Sequence, residues 1–273
     1  MRVDAHTSFP LLTESASAEA HELTPADILP DLALAGLDGC VVHAKRENSA
    51  ETQRLLALAG EFACIRGVVG WVDLLAKDVS SAIELHAADP LLRGFVHDAR
   101  TLHGRLALAS ETFRNSLRQL RLRRMALDLS TNREALPALR DLARSLPNQV
   151  LLISHQREPA AGRVRDASLE EWRSELSGLR DCENISIHLP AFEARVVPDS
   201  WSAEEGSHAL EIAVEVLGIE RVLFGSAWPA GRRATSYSSL VAVLTAFAER
   251  LSPAEGRAIL GGNAVRAYHL APL

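Results

Sequence analysis

The chain has 273 residues, of which 47% are hydrophobic and 23% are charged, the composition of a globular protein with one large core. Its net charge of −6 and the lack of a basic tract argue against nucleic acid and anionic membranes as partners. No apolar run approaches the roughly 20 residues that span a bilayer, and the three cysteines form no CxxC motif, which favours a reducing compartment. We therefore expect a cytoplasmic protein with a small-molecule substrate, and the sequence leaves open whether it forms a homo-oligomer.

Short apolar segments rich in β-branched residues alternate with amphipathic segments along the chain. The short segments predict strands at Arg2–His6, Gly39–Ala44, Arg66–Asp73, Leu92–Asp98, Met125–Leu129, Gln149–His155 and Asn184–Leu189, and a last strand in the stretch Arg221–Pro229, where it opens onto a loop. The amphipathic segments predict helices at Thr24–Gly36, Ala50–Leu58, Ser80–Ala87, Glu111–Leu120, Arg133–Ser145, Leu169–Leu179, Ala203–Leu217, Ser238–Arg250 and Pro253–Leu260. Capping residues mark several helix starts, such as Ser252 with Glu255 three residues later.

This alternation determines the expected fold class. Short apolar strands separated by helices indicate a parallel sheet. Eight such strands in a chain of this length indicate closure into a barrel, because (β/α) barrels of about 250 residues are single domains. The sequence has no linker that would divide it, so we predict an α/β fold, a (β/α)8 TIM barrel, as one domain over residues 1–273.

Polar and aromatic residues collect at the predicted strand ends, where barrels of this class carry their active sites. These residues are His6, His43, Trp71, Asp73, His97, Asp98, Asp128, His155, His188, Ser226 and Trp228. Five of the ten histidines of the chain are among them. A single histidine of this kind is more often structural, but scattered core histidines have no reason to converge on one end of a barrel. Their convergence predicts a functional pocket.

The last predicted strand leads into the stretch Phe224–Pro229, which closely resembles the eighth strand of the amidohydrolase-related family in its sugar-lactonase-like branch. Further resemblance lies in Val3–His6, Val68–Leu74, Leu92–Asp98 and Gly262–Tyr268, so that it extends over essentially the whole chain. The resemblance implies a barrel that hydrolyses sugar-acid lactones or related cyclic esters, often with one divalent metal ion.

Several positions depart from the family pattern. The family has a second histidine at the end of the first strand where this chain has Ser8. In the eighth strand the family has an aspartate that binds metal and acts as the catalytic base, and this chain has Ala227. At the seventh strand a lysine of the family is replaced by His188, and the arginine that precedes His97 in the family is replaced by Val96.

These departures bear directly on the cofactor. A catalytic zinc ion takes three protein ligands and a water molecule. Only His6 and His155 remain of the ligand set that the resemblance implies, and His43 or His188 would have to supply a third ligand. We therefore predict a degenerate metal site without a tightly bound cofactor, and bound zinc is the less favoured alternative.

An imidazole titrates near neutral pH and can move protons without a metal. We accordingly predict His6, His97, His155 and His188 as catalytic residues. The predicted substrate-binding residues are His43, Trp71, Ser8, Ser226 and Trp228. The favoured hypothesis is a hydrolase of a small lactone or cyclic ester. Two alternatives remain open, namely an isomerase, lyase or decarboxylase that uses the same residues, and a binding protein without catalytic activity.

Overall fold

The structure is a computed structural model that describes residues 1–10, 23–155, 165–189, 202–230 and 235–272. The side chains of His155 and of residues 165–168 lie outside the described part. None of the described helices is long and apolar enough to cross a membrane.

Eight parallel strands form one sheet in the order of the chain. They are β1 Val3–Thr7, β2 Gly39–His43, β3 Ile65–Gly70, β4 Leu92–Asp98, β5 Ala126–Thr131, β6 Leu151–His155, β7 Ile185–Leu189 and β8 Val222–Phe224. The first and last strands meet just beyond β8, where the Ser8 amide donates to the Trp228 carbonyl at 2.8 Å and the Ala227 amide donates to the His6 carbonyl at 2.9 Å. This closure confirms the predicted single-domain (β/α)8 TIM barrel.

Helices follow the strands and surround the barrel. The helices are α1 Pro25–Ala35, α2 Ser49–Glu61, α3 Val79–Ala87, α4 Leu102–Leu108, α5 Glu111–Leu122, α6 Leu136–Ser145, α7 Arg165–Ser177, α8 Ala203–Leu217, α9 Tyr237–Glu249, α10 Pro253–Arg257 and α11 Asn263–Ala267. The sequence prediction lacks α4 and α11, both of which are short. It also extends the third strand to Asp73, whereas β3 ends at Gly70 because the Trp71 amide donates to Thr52 Oγ1 on α2 at 2.8 Å.

Two apolar clusters separate the inside of the barrel from the layer beneath the helices. Val41 belongs to the inner cluster, and its neighbour Val42 belongs to the outer one, as expected when side chains alternate between the faces of a strand. The inner cluster also contains Tyr268, which follows α11 and is completely buried. The same alternation carries polar groups into the barrel, because His43 and Asp128 lie two positions after the inner residues Val41 and Ala126.

Candidate active site

Four side chains from four strands converge inside the barrel. His6, His43, Asp128 and His188 come from β1, β2, β5 and β7, and all four are buried. Each offers one nitrogen or oxygen atom that can bind a metal ion, and these atoms all lie within 4.8 Å of one another. We call this group the four-residue cluster. Residues that are 182 positions apart in the chain are thus brought into one site.

Asp128 lies at the centre of this cluster. Its Oδ2 atom accepts hydrogen bonds from Nε2 of His43 and Nε2 of His188, both at 2.9 Å, and from the Tyr268 hydroxyl at 2.6 Å. Burial alone would raise the pKa of Asp128, but the adjacent imidazoles of His188 and His43 outweigh it and hold the pKa well below its usual value. An ionised carboxylate only accepts hydrogen bonds, so both histidines carry a proton on Nε2.

His6 is oriented by three contacts. Its ring is stacked on that of His43, with centroids 4.2 Å apart and an angle of 11° between the planes. Nδ1 lies 3.1 Å from Oγ of Ser154, and Nε2 lies 3.5 Å from the Lys45 ammonium group. Burial lowers the pKa of His6 well below its usual value, and the neighbouring His43, Lys45 and His188 lower it further. The imidazole is therefore neutral near pH 7 and keeps a lone pair.

The cluster opens onto a cavity of about 360 Å³, a volume in the range of small-molecule sites. Described residues that line this cavity are His6, His43, Ala44, Lys45, Arg46, Glu47, Trp71, Val96, His97, Asp98, Arg100, Asp128, Ser130, Ala227 and Ala230. Ala227 thus faces the cavity from the position where the family pattern has an aspartate, as the sequence comparison with that pattern implies.

Four of the residues predicted for catalysis or substrate binding line this cavity, namely His6, His43, Trp71 and His97, and the strand-end residues Asp98 and Asp128 line it as well. Nε2 of His97 donates to the backbone carbonyl of Gly104 at 3.0 Å, and the ring packs on Phe113 with centroids 4.7 Å apart. Because a carbonyl only accepts, the proton of His97 is on Nε2 and its Nδ1 keeps a lone pair. Burial lowers the pKa of His97, which favours the neutral ring.

Three other predicted residues lie elsewhere. The Ser226 hydroxyl donates to Oδ2 of Asp4 at 2.6 Å, and the Ser8 hydroxyl donates to the Trp228 carbonyl at 3.3 Å. The Trp228 ring is buried against Phe9, with centroids 5.4 Å apart. None of the three is among the described residues that line the cavity. For them a role in substrate binding remains a sequence-based prediction.

His188 contributes to the four-residue cluster, whereas the side chain of His155 lies outside the described residues. Sequence reasoning placed Asp128 among the strand-end residues of the pocket but assigned it no catalytic or ligand role, and it did not single out Lys45 or Tyr268. A signal for Asp128 is present in the sequence, because a carboxylate on an otherwise apolar buried strand needs polar partners inside the barrel. For Lys45 and Tyr268 the sequence has no comparable signal.

Comparison with known proteins identifies the family. Residues 3–270 match the family model described as amidohydrolase. The chain belongs to the amidohydrolase family. Similar curated proteins include the L-fucono-1,5-lactonases of Burkholderia ambifaria and Burkholderia multivorans, each 27% identical, with alignments that cover 98% and 99% of this chain and 96% of each relative.

Solved structures agree with this assignment. The structure of an amidohydrolase from Burkholderia multivorans with bound HEPES has a TM-score of 0.89 at 25% identity. A structure of an amidohydrolase from the same organism with bound zinc has a TM-score of 0.87 at 25% identity. Both alignments cover 99% of this amidohydrolase and 100% of the other chain. A manganese-bound 5-carboxyvanillate decarboxylase from Novosphingobium aromaticivorans has a TM-score of 0.69 at 12% identity, over 99% of this chain and 97% of that chain, and shows the fold alone.

The prediction of a degenerate site without a cofactor is wrong. Three imidazoles and a carboxylate within 4.8 Å of one another are a suitable ligand set for zinc or manganese. The Nδ1 atoms of His43 and His188 are buried without a hydrogen-bond partner among the described residues, so the cluster has unused bonding capacity. The sequence argument failed because it counted only His6 and His155 as retained ligands. It could not show that His43 and His188 both reach His6, and it did not consider Asp128 as a ligand.

Proposed function

We propose that this amidohydrolase hydrolyses a lactone of a sugar acid, with a divalent metal ion bound by His6, His43, Asp128 and His188. The observation that carries the proposal is the convergence of these four buried groups inside the barrel, where His6, His43 and Asp128 also line one cavity. The substrate class is supported by the lactonase names of relatives that align with nearly the whole chain. When bound, the metal ion supplies Lewis acidity towards a carbonyl group or a water molecule.

The residues of the chain account for the remaining requirements of lactone hydrolysis. Trp71 provides an aromatic wall to the cavity, which suits the face of a six-membered ring. The reaction adds water to the ester carbon, breaks the ring C–O bond and releases a hydroxy acid, so a base must accept one proton from the water and a proton must pass to the ring oxygen that leaves. His97 can serve as this base, since it lines the cavity and its tautomer leaves Nδ1 free of a proton.

The experiment is a hydrolysis assay with a panel of sugar-acid lactones, L-fucono-1,5-lactone included, corrected for spontaneous ring opening. We expect activity in zinc- or manganese-loaded protein, loss on chelation and recovery on reloading. Matched linear esters serve as substrate controls. Equal turnover in chelated and reloaded protein would show that the cluster does not work as a metal site, and inactivity on every lactone would reject the substrate class.

A further inference from the structure

Lys45 lies beside a ligand of the proposed metal site. It follows β2 two residues after His43 and lines the cavity. Its ammonium group is 3.5 Å from Nε2 of His6. The only other lysine of the chain, Lys77, is exposed and is not among the described residues that line the cavity.

The contacts of His6 determine which of its nitrogens is available. A lysine ammonium group has hydrogens to donate and no lone pair, so Nε2 of His6 faces Lys45 as an acceptor. The proton of the neutral ring is then on Nδ1, which lies 3.1 Å from Oγ of Ser154 and donates to it. Ligand histidines in metal sites commonly donate their second N–H in this way. Nε2 of His6, which keeps its lone pair, is therefore the nitrogen that can bind a metal ion.

The same nitrogen cannot serve both cations. An imidazole nitrogen has one lone pair, and it is either shared with the ammonium group or bound to the metal ion. A zinc ion at about 2.0–2.1 Å from Nε2 would lie within about 5.6 Å of the ammonium nitrogen at its present position. Two positive charges at this separation in a partly enclosed cavity repel each other.

We propose that Lys45 competes with the metal ion for Nε2 of His6. In the metal-free protein the ammonium group occupies the lone pair, and it moves off the ring when the metal binds. Lys45 therefore weakens metal binding and makes the site exchange its metal more readily than the four ligands alone would. This inference rests on the ligand set and not on the hydrolysis, since it concerns the affinity for the metal.

The test is the zinc affinity of the full chain without substrate, measured by competition with a chromophoric chelator. Lys45→Met keeps the length of the side chain and removes the charge. We expect it to bind zinc at least tenfold more tightly than the wild type. Lys77→Met, the matched control for net charge, should stay within about twofold of the wild type, because long-range charge effects are screened by salt.

A third variant, Lys45→Arg, retains a cation at the same position and should bind zinc within about threefold of the wild type. Melting temperatures of all variants verify that each is folded. The proposal is overturned if Lys45→Met binds zinc no more tightly than Lys77→Met, or if Lys45→Arg binds as tightly as Lys45→Met. Absence of zinc binding in Lys45→Met also overturns it. Lactone hydrolysis is assayed separately, so failure here is distinguishable from failure of the proposed function.

Discussion

Asp4 and Asp128 are two buried aspartates in the same barrel with different surroundings. Each accepts a hydrogen bond from one of the two tyrosines of the chain, Asp4 from Tyr237 at 3.0 Å and Asp128 from Tyr268 at 2.6 Å. The other partners of Asp4 are the His6 amide and the amide and hydroxyl of Ser226, whereas those of Asp128 are two imidazoles.

The pKa values of the two carboxyl groups shift in opposite directions. Burial raises the pKa of Asp4 in spite of the hydrogen bonds from Ser226, His6 and Tyr237. The imidazoles beside Asp128 outweigh the same effect of burial and lower its pKa. The comparison shows that partners decide the role of a buried carboxylate. Amides and hydroxyls hold Asp4 in a contact that joins β1 to the loop after β8, and imidazoles place Asp128 in the four-residue cluster.

The largest expected effect is on activity and follows from Asp128→Asn. The amide keeps the volume of the side chain and removes the negative charge on which the cluster is centred. We expect kcat/KM for lactone hydrolysis to fall by at least about 1,000-fold, equivalent to about 4 kcal/mol. Steady-state kinetics with the metal-loaded protein measure it. Retention of more than about a tenth of the activity would place Asp128 outside the chemistry.

The next effect is on stability and follows from Asp4→Asn. Oδ2 of Asp4 accepts from the hydroxyls of Ser226 and Tyr237, and Oδ1 accepts from the amides of His6 and Ser226. An amide nitrogen in place of either oxygen removes an acceptor from these buried donors. We expect the free energy of unfolding to fall by about 3 kcal/mol. Urea denaturation measures it. If stability is unchanged while activity is lost, Asp4 acts in the reaction and the comparison with Asp128 breaks down.

The two tyrosines beside these aspartates differ in their expected effect on metal binding. Tyr268→Phe removes the hydroxyl that donates to Asp128 and keeps the ring inside the barrel, so we expect zinc affinity to fall about tenfold, as for other residues that hold a metal ligand in place. Tyr237→Phe is the matched control. It should leave zinc affinity unchanged and lower the free energy of unfolding by about 1 kcal/mol. Equal zinc affinities in both variants would contradict a role of Tyr268 at the cluster.

The smallest expected effect is on the pH dependence of the free energy of unfolding, to which Asp128 and Asp4 contribute with opposite signs. The pKa of Asp128 in the folded protein is lower than its value of about 3.9 in the unfolded chain. The ionised Asp128 therefore stabilises the folded protein fully above the unfolded pKa, and this stabilisation is lost as the pH falls towards the folded pKa. The folded pKa of Asp4 is raised, so the stability that this group confers falls as the pH rises from its unfolded towards its folded value.

Denaturation of the wild type, Asp128→Asn and Asp4→Asn at several pH values tests these signs. Acidification should narrow the stability difference between the wild type and Asp128→Asn, and it should widen the difference between the wild type and Asp4→Asn. Parallel pH profiles for the two variants would mean that the two carboxyl groups titrate alike. The proposed roles would then lose their electrostatic basis.

The barrel could be predicted from the sequence, although the end of β3 was placed at Asp73 and lies at Gly70. Strand and helix periodicities are local properties, so the order of elements could be predicted, and His6, His43 and His188 could be placed at one end of the barrel. Short helices such as α4 were not predicted, because seven residues form only about two turns and show too few repeats of the helical hydrophobic pattern.

Which strand-end residues form the site depends on the closed three-dimensional fold. The meeting of His6 with His188, and of both with Asp128, depends on distances across a closed barrel, which no spacing along the chain encodes. The same holds for Ser226, whose hydroxyl turns to Asp4 and not to the cavity, because a buried carboxylate requires donors. A ligand set is therefore a property of the closed sheet. A comparison of positions along single strands could name His43 and His188 as possible ligands, but it could not show that they meet His6 and Asp128.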